Sequence, residues 1–192
     1  MKISGKNKEA PALPVIVLAA IVTAALFSAC ASAPAGGSRP DWVLNPPEDA
    51  DTIYGIGAMT SANESVGWKA AENRARASIS YQLDALVEGM QTDYQTQIGA
   101  ADITEVQEVF EDINRQLTSN AIGGAKIVKR GVAGRDTYYA LASYSTAAVK
   151  ADVQNQLEAA ALKGVKMNSQ AALESLDANL AKKSKPVIVD KD

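Results

Sequence analysis

The fold is decided by TIYGIGAM at residues 52–59 and by SANESVGWKAAENRARASISYQLDALVEGM at residues 61–90. The first run alternates with a period of two and carries two glycines on one side. This predicts a short strand with another element packed closely against that side. The second run has apolar residues at intervals of three and four, which predicts a long helix with one buried stripe, alanine-rich in its first half. The stripe consists of Val66 or Trp68, then Ala71, Ala75, Ile79, Leu83, Leu86 and Met90.

The predicted long helix has a clear start signal and no clear end. Ser61 and Glu64 have the spacing of a capping box, in which the serine hydroxyl accepts a hydrogen bond from the Glu64 amide. The polar stretch between Gly89 and Gly99 is compatible with a loop or with continued helix. We therefore expect the helix to reach about Met90, with its continuation left open.

The rest of the chain predicts further helices and one hairpin. The predicted class is α+β: a small three-stranded, mostly antiparallel sheet covered by long helices, in the order β-α-α-β-β-α. An N-terminal signal helix precedes this unit, and a helical C-terminal tail follows it. The expected elements are a helix from near Asp102 or Thr104 to about Asn120, strands at 125–132 and 137–145, a helix from Ser145 or Thr146 to Gly164, and a helical pattern from Ser169 to Leu180.

The N-terminal region has the composition of an export signal. Lysines at positions 2, 6 and 8 precede an apolar stretch at residues 15–26, and LFSAC follows at residues 26–30 with the only cysteine of the chain. The apolar core is shorter than the roughly 20 residues that span a bilayer. Small residues before a cut site are typical of a cleaved signal. An ordinary secretory signal and a retained membrane anchor are the alternative interpretations.

The LFSAC run resembles the lipobox of bacterial lipoproteins, with Phe27 where the lipobox prefers leucine. The resemblance implies that the signal is cut between Ala29 and Cys30, and that the Cys30 thiol carries a diacylglycerol with palmitate-type acyl chains. Two or more such chains hold a protein durably in a bilayer. We expect a signal peptide at 1–29, a flexible tether at 30–40, an α+β domain at 41–163, and a helical extension with a basic tail at 164–192.

Composition limits the chemistry that the chain can perform. The 192 residues hold 19 basic and 22 acidic side chains, and without residues 1–29 the counts are 16 and 21, a net charge of −5. That balance argues against nucleic acid and against anionic headgroups as the main partner. The chain has no histidine and no second cysteine, which excludes Ser-His and Cys-His nucleophiles and an intramolecular disulfide. We predict no enzymatic activity and no cofactor.

Two short patterns are too incomplete to predict a ligand site. Gly55 and Gly57 lie between a strand and a helix, but a dinucleotide-binding turn needs a third glycine where Thr60 stands. The carboxylates between residues 41 and 51 lack the spacing of a calcium-binding loop. We predict close backbone packing at the glycines, a solvated acidic rim at the carboxylates, and no metal site.

Four short motifs behind the lipobox resemble the LPP-twenty family of bacterial envelope lipoproteins. They are PDWV at residues 40–43, YGIG at 54–57, the alanine-rich run at 70–76 and YYAL at 138–141, and the similarity covers roughly residues 40–150. The resemblance implies a non-enzymatic outer-membrane or surface lipoprotein. Some members of the family are flagellum-associated lipoproteins or envelope assembly factors. The family brings no catalytic residues to this chain.

Together these observations predict a lipid-anchored outer-membrane protein that acts as a structural or assembly subunit, with the flagellar apparatus as one candidate neighbour. Its membrane contact is the lipid on Cys30. Its expected partner is an envelope protein, with a second copy of the chain as an alternative. Candidate contact residues are Trp42, Arg76, Tyr138 and Tyr144, the tyrosines only if their face of the sheet is uncovered. The alternative function is a periplasmic-facing carrier or binding module for a small apolar ligand.

Overall fold

The computed structural model describes residues 37–98, 103–182 and 188–189. Within them the α+β class is confirmed, and the predicted order β-α-α-β-β-α is present with further elements at both ends. The predicted signal helix lies outside the described residues. The elements are α1 Asp41–Leu44, β1 Thr52–Thr60, α2 Glu64–Ile98, α3 Ile103–Gly124, β2 Lys126–Ala133, β3 Thr137–Ser145, α4 Thr146–Leu162, α5 Ser169–Ala181 and β4 Ile188–Val189.

The described sheet has four strands in the order β2-β3-β1-β4, so the prediction of three strands is wrong. The β1–β3 and β2–β3 pairs are antiparallel, and β4 pairs parallel to β1 through Ile188 with Ile56 and Val189 with Gly57. Ile188 also packs against the apolar cluster around Ile56. A strand of two residues is too short to show alternation, so only its tertiary pairing reveals it.

The α2 helix packs directly against β1, as the two glycines predict. A Cβ atom built at Gly55 would lie closer than 3.0 Å to the Ala75 carbonyl oxygen, and one at Gly57 would lie as close to the Ala71 carbonyl oxygen. Because contacts this short do not occur for real Cβ atoms, only glycine permits this separation of strand and helix.

The α2 helix continues beyond the predicted end and includes the polar stretch left open in the sequence. Tyr94 in that stretch is buried, and two polar side chains of the same stretch contact α5. Asn179 Nδ2 donates to Asp93 Oδ2 at 2.9 Å, and Gln97 Nε2 donates to Ser175 Oγ at 3.3 Å. Packing against α5 therefore extends the helix, which local sequence does not show. No helix within the described residues is long and apolar enough to span a membrane.

The first turn of α2 differs from the prediction in two details. The capping box is wrong, because Asn63 Oδ1 accepts the Val66 amide at 3.1 Å while Ser61 Oγ accepts the Asn63 amide at 3.1 Å. Val66 is 51% exposed and does not belong to the buried stripe. Its neighbour Gly67 faces the sheet instead, where it adjoins the ring of Tyr138.

Both ends of the described chain are built into the domain. The predicted helix after Ser169 is present, and its Ala172 and Leu176 lie in the same core as the buried residues of α2. Residues 37–40, predicted as the end of a flexible tether, lie against the hairpin. The Gly134 amide, in the β2–β3 turn, donates to the Gly37 carbonyl oxygen at 3.1 Å. Residues 37–40 are therefore in contact with the β2–β3 hairpin.

Candidate functional site

Two of the predicted contact residues lie on the face of the sheet that the helices cover. Tyr138 is 7% exposed, and its ring lies edge-on to that of Trp68 with centroids 5.0 Å apart. Tyr144 is 8% exposed, and its hydroxyl donates to Asp152 Oδ2 at 3.3 Å. The contact prediction required these tyrosines to lie on an uncovered face of the sheet. They lie instead on the face that the helices cover. Strand alternation separates the two faces of a sheet but does not tell which one the helices cover.

The buried network around Tyr144 raises the pKa of its hydroxyl. Burial is the main cause, and the negative charge of Asp152 and its hydrogen bond to the hydroxyl act in the same direction. Asp152 also accepts a hydrogen bond from Asn120 Nδ2 at 2.9 Å. The protonated hydroxyl thus remains a donor in a network that joins β3, α3 and α4.

Arg76, the third predicted contact residue, holds α2 against the start of β2. Its Nε donates to the Ala125 carbonyl oxygen at 3.4 Å, and its Nη1 lies 4.0 Å from Glu72 Oε2. Glu72 also pairs with Arg130 Nη2 at 2.5 Å. These charges connect helix and sheet, so a structural role accounts for the position of Arg76.

The opposite face of the sheet carries the N-terminal end of the domain, and we call it the tether face. On it Val43 and Trp42 of α1 pack against a small cluster that includes Ile56 and Leu141. Pro40 and Trp42 are the nearest neighbours of a Cβ built at Gly131. Trp42, predicted as a contact residue, is thus half-buried on the face away from the helices.

A β-bulge places two lysines on the tether face. The register shifts between Ile127 and Lys129, so that Lys126 lies opposite Ser143 and Lys129 opposite Leu141. Directly opposed residues share a face, and residues 141 and 143 point to the tether face. Without the bulge, two lysines three positions apart would point to opposite faces. Both lysines are exposed.

Basic and aromatic groups border the tether face near the β2–β3 turn. The guanidinium carbon of Arg39 lies 6.0 Å from the centroid of the Tyr139 ring. Arg135 is exposed in the turn itself. The tether face therefore combines an apolar centre with exposed cations along β2, an arrangement suited to an anionic surface. The sequence contains each of these residues, but its pattern does not predict that they lie on the same face of the sheet.

A separate open cleft of about 680 Å³ lies at the other end of β1, between residues 47–54 and the helices α2, α4 and α5. Lys150 Nζ lies 2.7 Å from Asp177 Oδ1 in its wall, and Gln82 Nε2 donates to the Tyr54 carbonyl oxygen at 2.7 Å. The sequence shows only the acidic loop of this cleft, because the helical residues come from distant parts of the chain. No group of three or more His, Cys, Asp or Glu side chains that could hold a metal occurs in the described residues.

Comparison with known proteins identifies no relative. No family model matches the chain, and neither a curated protein nor a solved structure does. The resemblance to the LPP-twenty family therefore depends on the four short motifs. Ala29 and Cys30, the predicted cleavage and lipid-attachment residues, lie outside the described residues.

Proposed function

We propose that the chain is a lipid-anchored protein of the bacterial cell envelope that acts as a structural or assembly subunit. The observation that carries the proposal is a lysine-containing start followed by an apolar run that ends in LFSAC at residues 26–30, with Cys30 as the only cysteine of the sequence. The absence of histidine from the sequence removes the commonest general base and metal ligand, so the proposal includes no enzymatic role. Outer-membrane placement and a neighbour in the flagellar apparatus are proposed on the family resemblance alone.

The described start of the domain supports a short connection to the lipid. Gly37 is fixed to the β2–β3 turn by the hydrogen bond from Gly134. Seven residue steps separate Cys30 from Gly37, and an extended chain covers at most about 3.6 Å per step, so the reach is about 25 Å. A lipid on Cys30 would keep the β2–β3 turn within that distance of the bilayer, which suits a subunit held in a fixed layer of the envelope.

The alternative role, a carrier for a small apolar ligand, has less support. Ligand pockets for apolar molecules are lined mainly by hydrophobic and aromatic side chains. The cleft at the start of β1 is instead rimmed by Glu48, Asp49 and Asp51, with the Lys150–Asp177 ion pair in its wall. We therefore keep the anchored subunit as the proposed function.

Intact mass of the protein purified from its native membrane tests this proposal. We expect a mass that lacks residues 1–29 and includes a diacylglycerol adduct on Cys30. Cys30→Ser should remain as the unprocessed precursor, because no thiol is available for the lipid. Ser32→Ala, two positions further on, is the matched control and should be processed normally. An unmodified thiol at Cys30 in the wild-type protein would refute the proposal.

A further inference from the structure

We infer that the tether face lies against anionic phospholipid headgroups, with Lys126, Lys129, Arg39 and Arg135 as the contacting cations. The inference rests on the proposed function, since the lipid on Cys30 brings the domain to the bilayer. It adds an orientation: the sheet faces the membrane, and the helices face away from it.

The chain enters the described part of the domain on the tether face. Pro40 and Trp42 lie over Gly131 of β2, and Gly37 is bonded to the β2–β3 turn. The path from Cys30 therefore reaches the domain at β2, on the side of the sheet that the helices do not cover. A reach of about 25 Å at this point leaves little freedom to turn the tether face away from the bilayer.

The segment that forms β2 and the β2–β3 turn is locally basic. Residues 126–136 contain four basic side chains and one acidic side chain, a net charge of +3. The chain from residue 30 onward has a net charge of −5, so its residues outside 126–136 together carry −8. Arg130 is paired with Glu72, and the exposed Asp41 and Asp136 reduce the remaining charge. An anionic leaflet attracts this basic strand and repels the rest of the domain, which favours one orientation.

Strand β2 lies at one edge of the described sheet, where a strand from a partner protein is the competing occupant. An added strand from a partner protein would need a flat, regular edge. Here the bulge at Val128 and the two lysines are the features by which natural edge strands discourage such pairing. Val128, between the two lysines in the sequence, is 49% exposed. An apolar side chain beside lysines suits the headgroup region, where lysine stems lie on apolar groups while the ammonium remains hydrated.

The test uses the lipidated full chain in vesicles, with a spin label that reports access to water. Because the Cys30 thiol is acylated, Val128→Cys provides the only reactive thiol, and Leu162→Cys provides a control at a side chain that is 91% exposed at the end of α4. The vesicles contain phosphatidylcholine with or without phosphatidylglycerol. We expect the label at position 128 to be shielded only with phosphatidylglycerol and to be released by salt, while the label at position 162 stays accessible.

Charge reversal identifies the groups responsible. Lys126→Glu with Lys129→Glu should lower the ratio of shielded to accessible label by about fivefold or more for each lysine, the equivalent of about 1 kcal/mol per basic residue. Lys163→Glu with Lys166→Glu makes the same change in net charge after α4 and should leave the ratio unchanged.

Any of four outcomes would overturn the inference. Equal access at position 128 in both kinds of vesicle would do so, and so would an equal response to both pairs of reversals. Shielding found only in native membranes, together with a cross-link from position 128 to a protein, would assign β2 to a protein partner instead. An unlipidated Cys30 in the mass measurement would refute the proposed function itself, and this inference with it.

Discussion

Replacing Gly57 with alanine should strongly destabilise the domain, because the new methyl group would meet the backbone of α2. It would lie closer than 3.0 Å to the Ala71 carbonyl oxygen and the Ala75 amide nitrogen, where 3.4 Å is an ordinary contact. These atoms cannot rotate away as a side chain does, so the whole helix must move. Overpacking of a core costs about 1–3 kcal/mol, occasionally more.

The movement of α2 would also strain the hydrogen bonds that join it to β1. Arg74 Nη1 donates to the Ala58 carbonyl oxygen at 2.5 Å, and Gln82 Nε2 donates to the Tyr54 carbonyl oxygen at 2.7 Å. A net contribution of about 0.5–1.5 kcal/mol for each bond, and more for the charged donor, raises the expected loss to about 3–5 kcal/mol. That is a large part of a typical unfolding free energy of about 5–15 kcal/mol.

Urea unfolding of the purified full chain, followed by circular dichroism and tryptophan fluorescence, measures this loss. With a slope of about 1–3 kcal/mol per molar urea, we expect the midpoint of Gly57→Ala to fall by more than about 1 M. Gly123→Ala is the matched control, because no atom outside the adjoining turn of its own helix lies within 4 Å of the added methyl group. This site is in the last turns of α3, where alanine should stabilise the helix by up to about 1 kcal/mol. If Gly57→Ala unfolds at the wild-type midpoint, the close contact of strand and helix is wrong.

Two further predictions address the tyrosine network and the fourth strand. Tyr144→Phe should cost about 1 kcal/mol at neutral pH through the lost bond to Asp152. The folded-state pKa of Tyr144 is raised above 10.0, so the wild-type stability should fall as the pH rises from about 10 through that folded-state pKa. Tyr144→Phe should lack this pH-dependent loss of stability. An identical pH dependence of the urea midpoint in the two proteins would contradict the network. Ile188→Asp should lower the stability by about 1–3 kcal/mol, because it places a charge in the half-buried site beside Ile56. Hydrogen exchange of the Gly57 amide region should then accelerate, and unchanged exchange would argue against the β4 pairing.

Sequence periodicity predicted the elements that have a repeating apolar pattern. The α2 stripe from Ala71 to Met90 is buried as expected, and α4 ends before Gly164, whose φ of +86° suits glycine. The strands of the hairpin also begin and end within about a residue of their predicted bounds, since β-prone runs and a turn with glycine are local signals. Local preference also explains the α2 cap in outline, although Asn63 and not Ser61 accepts the helix amide.

The amino-acid sequence by itself determined the α+β class, the long alanine-faced helix and the glycines that admit it, and its LFSAC run is the basis of the proposed function. Tertiary structure alone decided which face of the sheet the helices cover, and with it the burial of Tyr138 and Tyr144. It also decided the pairing of β4 and the bulge that brings Lys126 and Lys129 to one face. The physical reason is that periodicity describes a residue's neighbours on its own element, whereas faces, edges and register depend on which distant segments bury one another.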